Sequence, residues 1–274
     1  MADFWIVLQF SWIPFVGAAT YALTAAPLGA VLSLRDEILL GLALPPVGAA
    51  AIVFAVMVGV DAESSLPLYV AAVVAILLVS LLLPGPGAQG TSGRRRAMLL
   101  AGVFCAGEAA TLLMGAASPR VEAHVHDMLR GEVLAMSVTE LVGFVVLTAV
   151  TLALAFRFRG VLFSLALDEE GLLVRYGARG RRALLGFRVA GALIIAAGVI
   201  WVGPLLTLGM LAIPPLLFEG RARGLADLLV GVALLALTAT VAGFAASIAL
   251  DYPPVPMVVA GLLTVGGLAR LVRR

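Results

Sequence analysis

Residues 94–118 read RRRAMLLAGVFCAGEAATLLMGAAS, three arginines followed by a long apolar run. About 20 predominantly apolar residues are enough for a helix to cross the hydrocarbon core of a bilayer. The apolar run, residues 97–118, has this length, and its one charged residue is Glu108. The stretch therefore predicts a membrane-spanning helix that begins beside a basic loop.

The same pattern recurs along the 274 residues, of which 62% are hydrophobic, with a mean hydropathy of +1.13. A water-soluble domain could not hide so much apolar surface. The segment 204–218 is short for a full crossing and fits a half-helix paired with 186–203. We predict an all-α, polytopic helical membrane protein, a single domain over 1–274 with about 8–9 transmembrane segments drawn from residues 13–34, 38–60, 66–83, 97–118, 138–156, 186–203, 204–218, 225–250 and 254–270.

The basic residues of the chain are all arginines, and they alternate from loop to loop. One set of loops holds most of them, from Arg35 through the run 157–188 to Arg274, whereas the other set holds Asp61, Glu63 and Asp251. Loops rich in basic residues stay in the cytoplasm, so we expect the C-terminus to be cytoplasmic. The net charge of +2 is explained by this topology, and we expect membrane lipid rather than nucleic acid as a partner.

Residues 84–96 contain the sequence PGPGAQGTSG and predict a flexible cytoplasmic linker. This glycine-rich stretch is not a P-loop, because that loop needs a lysine to reach the phosphates and the chain has no lysine. Any function driven by ATP therefore requires a separate ATPase subunit. Cys105 is the single cysteine, which excludes an internal disulfide.

Two polar features are candidates for handling a substrate. A glutamate at membrane depth usually faces a cavity or a partner, so Glu108 is a candidate for a substrate pathway; a protonated, hydrogen-bonded structural role is the alternative. His124, His126 and Asp127 combine two imidazoles with a carboxylate and suit Zn²⁺, Mn²⁺ or Fe²⁺. A polar external loop that happens to contain histidines is an equally good account of this cluster.

Residues 158–184 form the longest predicted cytoplasmic stretch. Asp168, Glu169 and Glu170 precede apolar residues and Gly177, a pattern that predicts a short amphipathic helix with a glycine C-cap. Such a helix between two spans is suited to docking a motor protein. A solvated loop whose acids balance the nearby arginines is the alternative.

Several motifs, in this order and spacing, resemble the transmembrane permeases of metal-ion (zinc, manganese or iron) ABC importers. Residues 8–29 are similar to the first span of that family and its small-residue turn. Residues 129–137, LRGEVLAMS, are similar to Leu-Phe-Gly-x-x-Leu-Ala-x-Ser, and residues 164–170 with Gly177 resemble the cytoplasmic coupling helix. Later matches are the sequences at 202–206, 212–214 and 247–256.

The resemblance implies a permease in the bacterial inner (plasma) membrane that is not itself an enzyme. It implies an ABC ATPase subunit, a periplasmic metal-binding protein and a second permease copy, identical or related, as partners. It implies a transported metal ion as cargo and no permanently bound cofactor. ATPase coupling would then fall on 158–184, through Asp168, Glu169, Glu170 and Gly177.

The chain departs from the family in its second span. The family pattern Gly-Asp-x-x-Ser-His-x-x-Leu-Pro-Gly aligns with residues 36–46, so Glu37 replaces the aspartate and Gly41 replaces the histidine. Glu37 keeps a carboxylate for a substrate pathway, but the imidazole is lost. Two alternatives therefore stay open: a permease of the same fold for a metal chelate or other small solute, and a membrane scaffold or sensor that does not transport.

Overall fold

The computed structural model describes residues 2–61, 64–83, 93–117, 121, 136–167, 169–218 and 220–271. These residues form eleven helices, in agreement with the predicted fold class. In chain order they are α1 (Ala2–Leu34), α2 (Ile38–Met57), α3 (Ser65–Leu82), α4 (Gly93–Ala116), α5 (Val138–Arg157), α6 (Arg159–Leu167), α7 (Glu169–Tyr176), α8 (Ala178–Trp201), α9 (Pro204–Phe218), α10 (Leu225–Leu250) and α11 (Pro254–Leu271).

All nine predicted apolar segments are helical, and most of their ends lie within four residues of the prediction, but α1 begins 11 residues and α8 eight residues earlier than predicted. Among the described residues, seven helices are long and apolar enough to cross a membrane, whereas α9 and the apolar part of α11 are shorter. Gly203, at φ 90°, separates α8 from α9, and its left-handed backbone lets the chain turn between the two helices. Helix α9 has 15 residues, so it is short for a full membrane crossing, as the sequence of residues 204–218 predicts.

The predicted linker 84–96 is only partly described. Residues 93–96 belong to the first turn of α4, because the arginines that follow Gly93 are good helix formers. Residues 84–92 lie outside the described part of the chain. The basic end of α4 is thus helical rather than part of a linker.

The centre of the bundle consists of α1, α2 and α9, while α4 and α5 lie at its periphery. Helix α1 packs against α9 and α10, and α2 packs against α3 and α4. Many large apolar side chains on the peripheral helices are exposed, including Leu113 of α4 and Val142 of α5. In a membrane protein such faces are stable against lipid or a partner helix.

A cluster of aromatic rings joins four helices of the bundle. Tyr21 of α1 stacks on Phe144 of α5 at 5.7 Å between ring centroids, and Tyr69 of α3 stacks on Trp201 of α8 at 5.3 Å. Phe144 and Trp201 then meet edge to face at 5.4 Å. The hydroxyl of Tyr69 also donates to the carbonyl of Leu193 in α8. These contacts fix the relative positions of α1, α3, α5 and α8.

Close packing of α4 on α2 depends on a glycine. A Cβ added at Gly107 would lie 2.8 Å from the carbonyl carbon of Pro46, which is backbone and cannot move aside. Small residues at such contacts let membrane helices approach closely. Gly102, on the same helix, has no atom within 4 Å of the corresponding position.

We expect Gly107→Ala to lower the free energy of unfolding by about 1–3 kcal/mol, because the added methyl group overpacks the contact with Pro46. Gly102→Ala is the matched control, and it should be neutral or should gain up to about 1 kcal/mol of helix propensity. Thermal unfolding in detergent measures both variants. Equal stabilities for the two variants would contradict the close approach of α4 and α2.

Candidate functional site

The turn between α1 and α2 has the geometry of a Schellman cap. The N–H of Glu37 donates to the carbonyl of Leu32, and the N–H of Asp36 donates to the carbonyl of Ser33. Asp36 has φ 54°, in the left-handed region that this cap requires and that Asp tolerates better than most residues. Its side chain is exposed. The cap directs Arg35 and Glu37, on either side of Asp36, into the protein.

Arg35 and Glu37 form a buried ion pair at this turn. The Nε of Arg35 donates to Oε2 of Glu37 at 2.9 Å, and the two side chains are only 2% and 3% exposed. Arg96 of α4 lies beside them, with Nη2 at 3.7 Å from Oε1 of Glu37, which is an electrostatic contact longer than a hydrogen bond. Nη1 of Arg96 donates to the carbonyl of Asp36 at 2.8 Å. One carboxylate thus faces two guanidinium groups.

Arg35 also reaches α6 and α8. Its Nη1 donates to the carbonyl of Leu165 in α6 at 2.8 Å, across 130 residues of sequence. Its guanidinium carbon lies 5.4 Å from the ring centroid of Phe187 in α8, close enough for a cation–π contact. We call Arg35, Glu37 and Arg96, with the Leu165 carbonyl, the ionic node. The ionic node links the start of α2, the start of α4 and helix α6, and its Arg35 also contacts α8 through Phe187.

The ionic node contains Glu37, which the sequence predicts as a substrate-pathway residue. Glu37 is buried, and its carboxylate is engaged by arginines. One turn further along α2, a Cβ added at Gly41 would lie 2.7 Å from the Leu32 side chain, so a larger residue would need space from Leu32. The assignment of Glu37 to a substrate pathway stays a prediction.

An apolar groove of about 490 Å³ lies between α2, α4, α9 and α11. The side chains that line it are aliphatic apart from Phe104 and Cys105 of α4; the main contributions are Leu39 and Leu42 of α2, Leu205 and Leu208 of α9 and Val259 of α11. The groove begins within a turn or two of the ionic node, since Leu39 follows Glu37 by two residues.

Two of the helices that line the groove contain pairs of adjacent prolines, Pro45-Pro46 in α2 and Pro214-Pro215 in α9, and both helices continue through them. Proline has no N–H, so the carbonyl four residues earlier loses its usual helical donor. Such breaks are stable at membrane depth where the backbone is buried in protein or lines a cavity. The carbonyls concerned are those of Gly41, Leu42, Met210 and Leu211.

Glu108 lies on α4 and is partly buried. It follows Phe104 by four residues and Cys105 by three, so it lies on the same helical face as these two groove residues. Its predicted place in a substrate pathway is not tested by these contacts. The histidine cluster His124, His126 and Asp127 lies outside the described residues. Within the described residues, no group of three or more His, Cys, Asp or Glu side chains could hold a metal ion.

The predicted coupling region, 158–184, contains α6, α7 and the start of α8. The predicted amphipathic helix corresponds to α7, which begins at Glu169 and is followed by Gly177 at φ 49°. Glu170 lies in α7 as well, while Asp168 lies outside the described residues. The region attaches to the bundle through buried Leu165, Ala166 and Leu172, and it exposes Leu167 and Val174.

Sequence reasoning missed Arg35 as a site residue. A local signal existed, because an arginine two residues before a glutamate at a helix boundary places two opposite charges close together. The partners in α4 and α6 lie far away in sequence and have no comparable signal.

The fold and site define a multi-pass membrane protein with proline-containing helices around an apolar groove and a pair of short helices attached to one end. The chain belongs to the ABC 3 transport family, whose sequence pattern it matches over residues 9–270. It is therefore a membrane permease of the ABC importer class. No curated protein sequence matches it significantly.

Two solved structures share the fold. The structure of PsaBC from Streptococcus pneumoniae in complex with Fab matches with a TM-score of 0.79 and 20% sequence identity, covering 97% of this chain and 94% of that chain. An inward-facing conformation of an ABC transporter assigned to the metal-chelate type matches with a TM-score of 0.70 and 15% identity, covering 97% and 88%. At these identities the likeness is one of fold.

We expect Glu37→Gln to lower the free energy of unfolding by about 3 kcal/mol, because it leaves the buried Arg35 without a negative partner. The value falls at the low end for a broken buried ion pair because the amide oxygen still accepts from Arg35. Asp36→Asn is the matched control, because it removes an exposed charge at the neighbouring residue. It should change the free energy of unfolding by less than about 0.5 kcal/mol. Equal losses in chemical unfolding of the two variants would contradict the ionic node.

Proposed function

We propose that the chain is the transmembrane subunit of an importer that carries a divalent transition metal across the bacterial inner membrane. ATP hydrolysis takes place on a separate ATPase subunit, a periplasmic metal-binding protein delivers the cargo, and a second permease copy completes the pathway. The observation that carries the proposal is the family match over nearly the whole chain, together with the groove that proline-containing helices border. The arginine-rich end of the bundle is then cytoplasmic.

The proline breaks support a cation as cargo. Carbonyl oxygens without a helical donor carry partial negative charge, and hard oxygen ligands suit small divalent cations. Two such carbonyls, those of Gly41 and Leu42, belong to α2, and Leu42 lines the groove, whereas the Leu211 carbonyl of α9 packs against Gly29 of α1. Glu108, one turn beyond Phe104 and Cys105 on α4, is the nearest carboxylate along the same helical face. An ion would move between weak ligands of this kind without being trapped.

A metal chelate is the second candidate cargo. The ionic node favours it, because the Glu37 carboxylate already has two arginine partners and is not a free ligand for a bare cation. The groove favours it as well, because its aliphatic walls suit the organic shell of a complex. The solved transporter assigned to the metal-chelate type has the same fold.

Transport by the assembled complex distinguishes the candidates. The permease, the ATPase subunit and the binding protein are placed in proteoliposomes, and accumulation of ⁶⁵Zn²⁺ or ⁵⁴Mn²⁺ is measured with the free ion and with the ion bound to an organic chelator. We expect ATP-dependent uptake of the free ion and none with an inactive ATPase subunit. Uptake of the chelate alone would support the second candidate. ATP hydrolysis without uptake of either form would contradict a metal cargo.

The histidine cluster enters the same assay. We propose that His124, His126 and Asp127 form a weak external site that receives the metal, since two imidazoles and one carboxylate bind less firmly than the four ligands of a structural zinc site. His124→Ala with His126→Ala should reduce uptake of the free ion. Normal uptake would remove the metal role, and loss of binding-protein affinity with intact metal affinity would assign the segment to docking.

We propose that α6 and α7 dock on the ATPase subunit through the exposed side chains of Leu167 and Val174 and the acids Asp168, Glu169 and Glu170. Reversing the three acids to arginine should lower ATP-driven uptake roughly tenfold, about 1.4 kcal/mol, with unchanged expression. Asp227→Arg is the control, because Asp227 is an exposed acid at the same end of the bundle outside the coupling region. Unchanged uptake by the triple variant would show that these acids do not couple.

A further inference from the structure

We infer that Arg35 is a positioning residue that transmits movement of α6 to the two helices at the base of the groove, α2 and α4. The inference rests on the proposed function, in which α6 and α7 receive the ATPase subunit. It goes further by naming the residue through which their displacement reaches the cargo pathway.

The contact between Arg35 and α6 is made to backbone. The acceptor is the carbonyl of Leu165, at 2.8 Å from Nη1, and both partners are buried. A hydrogen bond from a charged donor is about twice as strong as one between neutral groups, and away from water it is not easily exchanged. Because a carbonyl cannot rotate independently of its helix, Arg35 follows the position of α6 itself.

The other contacts of Arg35 lead to the groove. Its Nε donates to Glu37, the residue immediately before α2, and Leu39 and Leu42 of α2 line the groove two and five residues later. Arg96 connects the same turn to α4, where Leu100 and Ala101 begin the opposite wall. A displacement of Leu165 therefore acts through Arg35 at the base of the α2 wall, and through the same turn and Arg96 at the base of the α4 wall.

A guanidinium group is required for this geometry. Arg35 donates from Nε to one partner and from Nη1 to another, while its flat face covers the ring of Phe187. A lysine at this position would keep the charge, but its single ammonium group lacks the rigid fork that reaches two partners on different helices. Arg35→Lys should therefore keep the ion pair with Glu37 and lose the link to α6.

The experiment uses the full complex of permease, ATPase and binding protein in proteoliposomes, with Arg35→Lys, Arg35→Gln and Arg188→Gln as variants. Arg188 is a suitable control, since it is a partly buried arginine of α8 whose Nη1 donates to the carbonyl of Ser80, away from α6. The first readout is the number of ATP molecules hydrolysed per ⁶⁵Zn²⁺ ion accumulated, free or chelated, whichever the wild type accepts. The second is hydrogen–deuterium exchange of residues 38–57 with and without ATP.

We expect Arg35→Lys to raise the ATP consumed per ion roughly tenfold, with kcat and KM for ATP within about twofold of wild type. The ATP-dependent change in exchange of α2 should disappear in this variant and persist in Arg188→Gln. A purely structural role would lower the amount of complex but leave the ATP consumed per ion and the ATP-dependent exchange of α2 as in the wild type. That result would overturn the inference. If the complex with Arg35→Gln does not assemble, the result for Arg35→Lys alone tests the inference.

Failure of the proposed function has a different signature. If the wild type accumulates zinc in neither form, the cargo proposal fails, and the exchange of α2 still tests Arg35. Loss of the ATP-dependent change in Arg35→Lys would support the inference, and its persistence there would contradict it. If wild-type α2 shows no ATP-dependent change, α6 transmits nothing to α2 and the inference is wrong.

Discussion

One buried ion pair, between Arg35 and Glu37, fixes how the end of α1, the starts of α2 and α4, and helix α6 meet. Taking two charges out of water is expensive, and their attraction offsets that only when the geometry is good and further hydrogen bonds satisfy the remaining donors. Here the Leu165 carbonyl accepts a hydrogen bond from Arg35, and Arg96 adds an electrostatic contact to Glu37 at 3.7 Å. Because either charge alone would be uncompensated, the ends of α1, α2, α4 and α6 are held in one arrangement.

Elsewhere the bundle is held by weaker and less specific contacts. Gly107 allows α4 to approach α2, stacked rings join α1, α3, α5 and α8, and proline pairs lie within α2 and α9. Membrane helices gain little from the hydrophobic effect against one another, so packing and interhelical polar contacts decide their association. Helices that lack hydrogen bonds at their prolines bend more easily there, which suits a groove that alternates between two arrangements.

The fold could be predicted from the sequence because apolar length and arginine position are strong local signals. Each of the nine predicted segments is a helix, and the segment that looked too short, 204–218, is the short α9. The first turn of α4 was assigned to a linker because its arginines carry no apolar signal. The site is harder to predict than the fold. Resemblance to the family indicates Glu37 as a pathway residue, but its ion pair with Arg35 and the contact of Arg35 with Leu165 are properties of three-dimensional packing.

The central claim is that Arg35 and Glu37 act as a unit. A double-mutant cycle with Arg35→Gln, Glu37→Gln and the double variant, measured as free energy of unfolding of the permease in detergent, tests it most directly. The account predicts an interaction energy of about 3 kcal/mol, with the double variant no less stable than either single one, because each single variant leaves a buried charge behind. Losses that add to within about 0.5 kcal/mol would contradict it.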